Sequence, residues 1–196
     1  MSRIPLSVKI AYAVWMAVWV PVYWMHAGPV NFLWLCDVAN FLIGIALWTE
    51  SRLLISSQAA GVLFVQVLWC GDFFGRLLLG RHLIGGTEYM FDEAKPLHLR
   101  LFSLFHVAMP PLLLWVVRRL GYDPRGWKLQ TAITWVLLPA TWLLVGPEKN
   151  INWVWKPFDK PQELLSPPLY LLGLCLLYPL LLYLPTHLVL RRWMRY

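Results

Sequence analysis

Charge is what this sequence has least of. Asp, Glu, Lys and Arg together make up 14% of its 196 residues, while hydrophobic side chains reach 59%; a water-soluble domain carries roughly 25% charged residues. A soluble globular fold is excluded as the first reading, because a chain with so little polar surface takes lipid as its solvent. Cysteine is scarce too. Cys36, Cys70 and Cys175 all sit inside apolar runs, which argues against a disulfide framework and a zinc-ribbon thiolate site and leaves small buried hydrophobes. No HExxH motif and no pair of histidines at i, i+4 occurs, so no metal is assigned. The 13 tryptophans are read as an aromatic belt and as helix packing, not as a cofactor cage, and no cofactor is expected. Internal repeats and low-complexity segments are absent, which weighs against a transporter of the inverted-repeat kind.

What remains is a succession of apolar runs, each near the roughly 20 residues that cross a hydrocarbon core of about 30 Å at 1.5 Å per residue. The sequence predicts an all-α fold: one polytopic transmembrane helical bundle over residues 1–196. About six spans are expected, at about 10–25, 31–48, 53–75, 97–117, 127–145 and 167–190. The first run follows Arg3 and Lys9 but carries Trp15, Trp19, Pro21 and Trp24 and no small-x-small cleavage site, so it is read as an uncleaved span rather than a signal peptide. Residues 76–96 and 146–166 form two long loops, the second punctuated by Pro147, Pro157 and Pro161. Gly121 and Pro124 mark a compact turn between the fourth and fifth spans.

The formal charge of +7 would suggest nucleic acid for a soluble protein. Here the basic residues gather at span ends, where membrane lipids with anionic headgroups are the expected partner and nucleic acid is not. Arg3, Lys9, Arg52, Arg118, Arg119, Arg125, Lys128, Arg191, Arg192 and Arg195 fall on the side of both termini; Arg76, Arg81, Lys95, Arg100, Lys149, Lys156 and Lys160 fall on the other. That bias, with the wholly uncharged first loop at residues 26–30, puts both termini in the cytoplasm and the long loops outside. The expected location is the cell membrane, the inner one in a Gram-negative source. Nothing in these residues specifies an oligomeric state.

A charged group inside a span costs roughly 2.5 to 3.5 kcal/mol on insertion scales, so each needs a reason. Asp37 and Asn40 share one face of the second span. Gln66, Asp72 and Arg76 lie on the third, the last two at the spacing of an ion pair across one turn. Ser103 and His106 lie three apart on the fourth. Counted from the outer ends of their spans, Asp37 and His106 lie roughly 9 to 13 Å deep at the helical rise. If these helices face one another, their side chains form a polar pocket in the outer half of the bilayer, roofed by the long loops. Its catalytic candidates are His106 as base, Asp37 as its partner or nucleophile, and Ser103. Its binding candidates are Asn40, Gln66, Asp72, Arg76 and Asn152. For Asp72 and Arg76 the competing reading is a structural ion pair. For His106 it is a core histidine bonded to a neighbouring helix.

At Asn31-Phe-Leu-Trp-Leu-Cys-Asp37, Tyr89-Met-Phe-Asp92, Ser103-Leu-Phe-His106-Val-Ala-Met-Pro110 and Asn150-Ile-Asn152-Trp153-Val, the chain resembles a family of bacterial polytopic membrane proteins of about this length that carries no assigned activity. The Phe-Leu-x-x-x-Asp start of the second span and His106-x-x-x-Pro110 are also similar to the androgen-induced family of intramembrane lipid-ester hydrolases, which use a threonine and a histidine. The histidine maps onto His106. Where the threonine would stand this chain has Trp34, so that nucleophile is not preserved, and Asp37, Ser103 or an activated water would have to take its role.

Three functions are therefore carried forward: a hydrolase or acyl transferase acting on a lipid or other small-molecule substrate, a protein that binds or transports a small solute or ion through Asp37, Asn40 and Asp72, and a structural membrane subunit.

Overall fold

Helix limits follow from local chemistry in the computed structural model, which describes residues 3–194; Arg195, counted above among the basic residues, lies outside them. Helix α1 (Leu6–Ala27) starts directly after Pro5, whose ring suits the turn into a helix but not its interior. A short 3-10 turn, Pro29–Leu33, leads into α2 (Leu35–Thr49). The Ser51 hydroxyl caps α3 (Arg52–Leu79) by accepting the Leu54 N–H at 3.2 Å. The next apolar run breaks at Ser103 and Leu104 into α4 (Leu97–Phe102) and α5 (Phe105–Leu120). After α6 (Gly126–Leu144), the last run comprises α7 (Pro167–Leu177), a π-helical turn Tyr178–Tyr183, and α8 (Leu184–Trp193). No strand occurs among the described residues.

Prolines inside these helices leave carbonyls without their i+4 donor, and in a lipid setting such groups need protein partners. Pro110 cannot donate to the His106 carbonyl, which instead accepts the Cys70 thiol at 3.5 Å. Pro179 cannot donate to Cys175, whose carbonyl accepts the Trp135 indole N–H at 2.8 Å. Both substitutes come from a neighbouring helix, so Pro110 and Pro179 are each tied to a tertiary contact.

Four helical segments are long and apolar enough to cross a membrane: Leu6–Ala27, Arg52–Leu79, Leu97–Leu120 and Pro167–Trp193. The other two expected spans do not meet that requirement by themselves. The 15 residues of α2 rise about 22 Å, short of a core of about 30 Å, because the start of the expected run is spent on the 3-10 turn. Helix α6 has 19 residues but carries Lys128, Gln130 and three threonines. Residues 76–79, expected in a loop, complete the last turn of α3.

Helix α3 is the hub, touching α2, α5, α6 and α8. Every residue from Ile55 to Leu63 is buried. Against α6 the approach is close: a Cβ on Gly126 would sit 2.6 Å from the Ser56 backbone, and one on Gly61 would collide with the Gln130 side chain. Small residues at such a seam let backbones approach, and hydrogen bonds then hold them. Gln58 donates to Gln130 at 3.2 Å, and the Thr134 and Tyr183 hydroxyls meet at 2.7 Å. Helix α1 presents Leu6, Ile10, Val14 and Val18 outward at four-residue spacing and buries Trp19.

Contacts sort the molecule into two ends. At one, Lys9 pairs with Glu50 at 2.8 Å, Ser56 accepts the Asp123 N–H at 2.8 Å, and the Tyr122 hydroxyl meets His187 at 2.9 Å. At the other, Tyr23 meets Ser103 at 2.9 Å, the Leu35 N–H donates to Asn152 at 2.8 Å, and Tyr170 donates to the Trp153 carbonyl at 3.0 Å. Successive long segments therefore alternate in direction, and both long loops lie at the second end.

Candidate functional site

Four elements bring side chains together at that second end. Tyr23 comes from the last turns of α1, Asp37 from the first turn of α2, Ser103 from the break between α4 and α5, and His106 from the first turn of α5. Asp37 is 2% exposed. One of its oxygens accepts the Asn31 amide at 3.1 Å, the other faces the Cys36 thiol at 3.9 Å, and it makes no ion pair among the described residues. Its place near the start of α2 aligns the carboxylate with the positive end of the helix dipole, a partial compensation for burial.

His106 has one nitrogen committed. Its Nδ1 lies 2.7 Å from the Ser103 carbonyl, and a carbonyl only accepts, so Nδ1 carries the proton and Nε2 keeps a lone pair. The ring is stacked between Phe105, with centroids 4.0 Å apart, and Trp69 at 4.4 Å. That clamp fixes the imidazole plane. The Ser103 hydroxyl is bonded to Tyr23 and lies 3.4 Å from the Leu99 carbonyl. Asp37 is close enough to the Tyr23 phenol to act on it electrostatically. Tyr89, in the 3-10 turn Glu88–Met90, has its phenol within electrostatic reach of Ser103, Tyr23 and Cys36, and burial pushes that phenol above the ordinary tyrosine range. The result is one buried carboxylate, one oriented imidazole and three hydroxyls. Asp37 and His106 share no hydrogen bond; Tyr23, which feels Asp37, bonds the Ser103 hydroxyl, and the Ser103 carbonyl holds His106.

The remaining candidates lie elsewhere. Asn40 turns toward α1 and accepts the Tyr12 hydroxyl at 3.1 Å. Gln66 is buried against α5, its amide donating to the Met109 sulfur at 3.2 Å and its oxygen without a partner. Asn152 is a bridge: its oxygen accepts Leu35 N–H and its amide donates to the Leu33 carbonyl at 2.7 Å, which fastens the second long loop to the start of α2. Arg76 does not pair with Asp72. It donates to the Gly80 carbonyl and lies 5.7 Å from the centre of the Phe91 ring.

Asp72 is occupied by the first long loop. Its Oδ1 accepts three successive backbone N–H groups, from Leu83, Ile84 and Gly85, at 2.7, 2.7 and 2.9 Å, and its Oδ2 takes the Thr87 hydroxyl and His82 Nδ1, the latter at 2.9 Å. A fully buried carboxylate with five donors is the anchor of a loop rather than an open ligand. His82 was not among the expected site residues, since a histidine in a glycine-rich loop gives no sign of which helix it will meet. The Gln58, Gln130, Thr134 and Tyr183 network was missed for the same reason. Among the described residues no three His, Cys, Asp or Glu side chains converge as a metal site would require.

The geometry thus defines the class: an all-helical protein with four helices suited to crossing a membrane and a buried polar cluster at one end. Comparison with known proteins adds one partial likeness. Over 114 residues the chain is 34% identical to Cilia- and flagella-associated protein 65 of Chlamydomonas reinhardtii; the aligned stretch is 49% of this chain and 5% of that protein. No protein-family profile and no solved structure matches the chain.

Proposed function

We propose that the protein is a six-span resident of the cell membrane with both ends cytoplasmic, and that the cluster around His106 performs acyl-ester chemistry on a lipid. The observation that carries the proposal is the state of His106: a ring clamped between two aromatic faces, its Nδ1 proton committed to the Ser103 carbonyl and its Nε2 left as a base. Alternation of helix direction supports six traverses, with α2 completed by the 3-10 turn before it. The charge distribution supports the orientation. Nine described Lys and Arg mark the end bearing the termini against seven at the end with the long loops, and the first loop, residues 26–30, carries none.

In this reading His106 Nε2 takes a proton from a water molecule or an acceptor alcohol as its oxygen adds to the ester carbonyl. The same proton then passes to the departing alkoxide, so that ester and water give acid and alcohol, or ester and alcohol exchange partners. The Tyr23 and Tyr89 phenols are the donors nearest to hand for the developing oxyanion. Asp37 sets the field around Tyr23. The test is release of fatty acid from mixed phospholipids and glycerides by the reconstituted protein. His106→Ala and Asp37→Asn should each lower turnover by about 10²-fold or more with an unchanged elution profile, and full turnover in both variants rejects the assignment.

The absence, among the described residues, of an ion pair at Asp37 favours a second reading, a site for a cation or small solute. That reading is told apart by flux into proteoliposomes that Asp37→Asn abolishes and His106→Ala leaves intact.

A further inference from the structure

At the opposite end of the molecule three arginines from three separate helices converge on one surface hollow of about 450 Å³: Arg52 at the start of α3, Arg118 near the end of α5, and Arg191 on α8, with Tyr122, Pro124 and Met194 completing its walls. No acid lines it. Asp123 feels Arg52 electrostatically but is held by Arg125, which donates to both of its oxygens at 3.1 and 2.9 Å. None of the three arginines forms an ion pair among the described residues.

Two of the guanidinium groups are held in place. Arg52 donates through Nη2 to the Tyr122 carbonyl and lies flat against Gly121, where a Cβ would come within 3.3 Å of its Nε. Gly121 adopts φ +89°, so a side chain there would be strained by the backbone conformation and would crowd the arginine. Arg118 rests on the Trp193 ring, its guanidinium carbon 4.3 Å from the ring centre; a cation held over a ring face engages it without using up its N–H donors. Arginine forks at helix ends and beside the apolar flanks of α5 and α8 match a phosphate whose attached chains run alongside the helices.

We propose that this hollow binds the phosphate of an anionic phospholipid headgroup. The proposal rests on the helices lying in a bilayer but not on the chemistry assigned to His106, at the other end of the molecule. The experiment is native mass spectrometry of the full chain in detergent, titrated with phosphatidylglycerol or phosphatidylcholine. The expected result is one retained phosphatidylglycerol that phosphatidylcholine does not replace. Arg118→Gln and Arg191→Gln should each weaken its binding about fivefold, at roughly one headgroup contact per basic residue. Arg52 is left unaltered because it also holds the Tyr122 carbonyl. Arg119→Gln makes the same charge change on the same end but outside the hollow, and should leave binding unchanged; an equal loss there would reduce the effect to overall charge and overturn the site. Equal binding of the two lipids overturns it as well. Displacement of the lipid by millimolar inorganic phosphate would assign the hollow to a soluble anion and overturn the lipid proposal.

Discussion

Replacing Asp72 by alanine removes the acceptor on which the first long loop is built. Three backbone N–H groups, the Thr87 hydroxyl and His82 Nδ1 lose their common partner at once. A hydrogen bond to a charged group is worth roughly 1.5 to 3 kcal/mol, but the sum does not apply, because an opened loop recovers water for each donor. The net loss should be on the order of 3 kcal/mol, the size of a broken buried network. It should fall on the loop rather than on the bundle, since α3 keeps its contacts with α2, α5, α6 and α8. At about 1.4 kcal/mol per decade this lowers amide protection at Leu83, Ile84 and Gly85 by about 10²-fold. Hydrogen exchange read by mass spectrometry on the protein in lipid nanodiscs measures it directly. Asp72→Asn keeps an acceptor for the three N–H groups but presents an amide to Thr87 and His82, so its effect should be smaller. Unchanged protection in the alanine variant would refute the view of Asp72 as the loop's anchor.

Other expectations concern packing and pH. Gly126→Ala should destabilise the protein by about 1 to 3 kcal/mol through collision with Ser56, whereas Gly71→Ala, with no atom within 4 Å of the new Cβ, should be neutral or stabilising by up to about 1 kcal/mol; thermal unfolding in detergent separates them. Gln66→Met should cost less than about 1 kcal/mol or stabilise, because the buried oxygen it removes has no partner. Asn152→Ala should loosen the second long loop by about 2 to 4 kcal/mol, as two bridging bonds are lost, with proteolysis within residues 146–166 as the readout. Hydrogen bonding from Arg125 holds the Asp123 carboxyl below the ordinary value of 3.8. Its stabilising contribution is therefore present above that value and disappears as pH falls through the lowered one. Acid unfolding followed below about pH 4 should be shallower in Asp123→Asn.

A chain so poor in charge and so rich in apolar runs of about 20 residues points by composition to helices whose backbone groups are bonded within each segment, and the structure is all-helical among the described residues, with four helices long and apolar enough to cross a membrane. The helical character of the chain, its four segments suited to crossing a membrane and the burial of Asp37, Asp72 and His106 were legible, because each depends on local pattern or on the cost of burying a polar group. Partners were not. The four-residue spacing of Asp72 and Arg76 permits a pair in an isolated helix, but a loop folded back from Gly80 supplies better donors and takes the carboxylate. Asn152 looked like a ligand to a pocket and is a strut between a loop and α2. His82, Gln130 and Tyr183 carry no local mark, and Trp135 answers a carbonyl freed by a proline 44 residues further along the chain. Spacing along one helix determines which side chains share a face; which of several acceptors a donor reaches is decided by how separate helices pack, and that is a property of the tertiary structure alone.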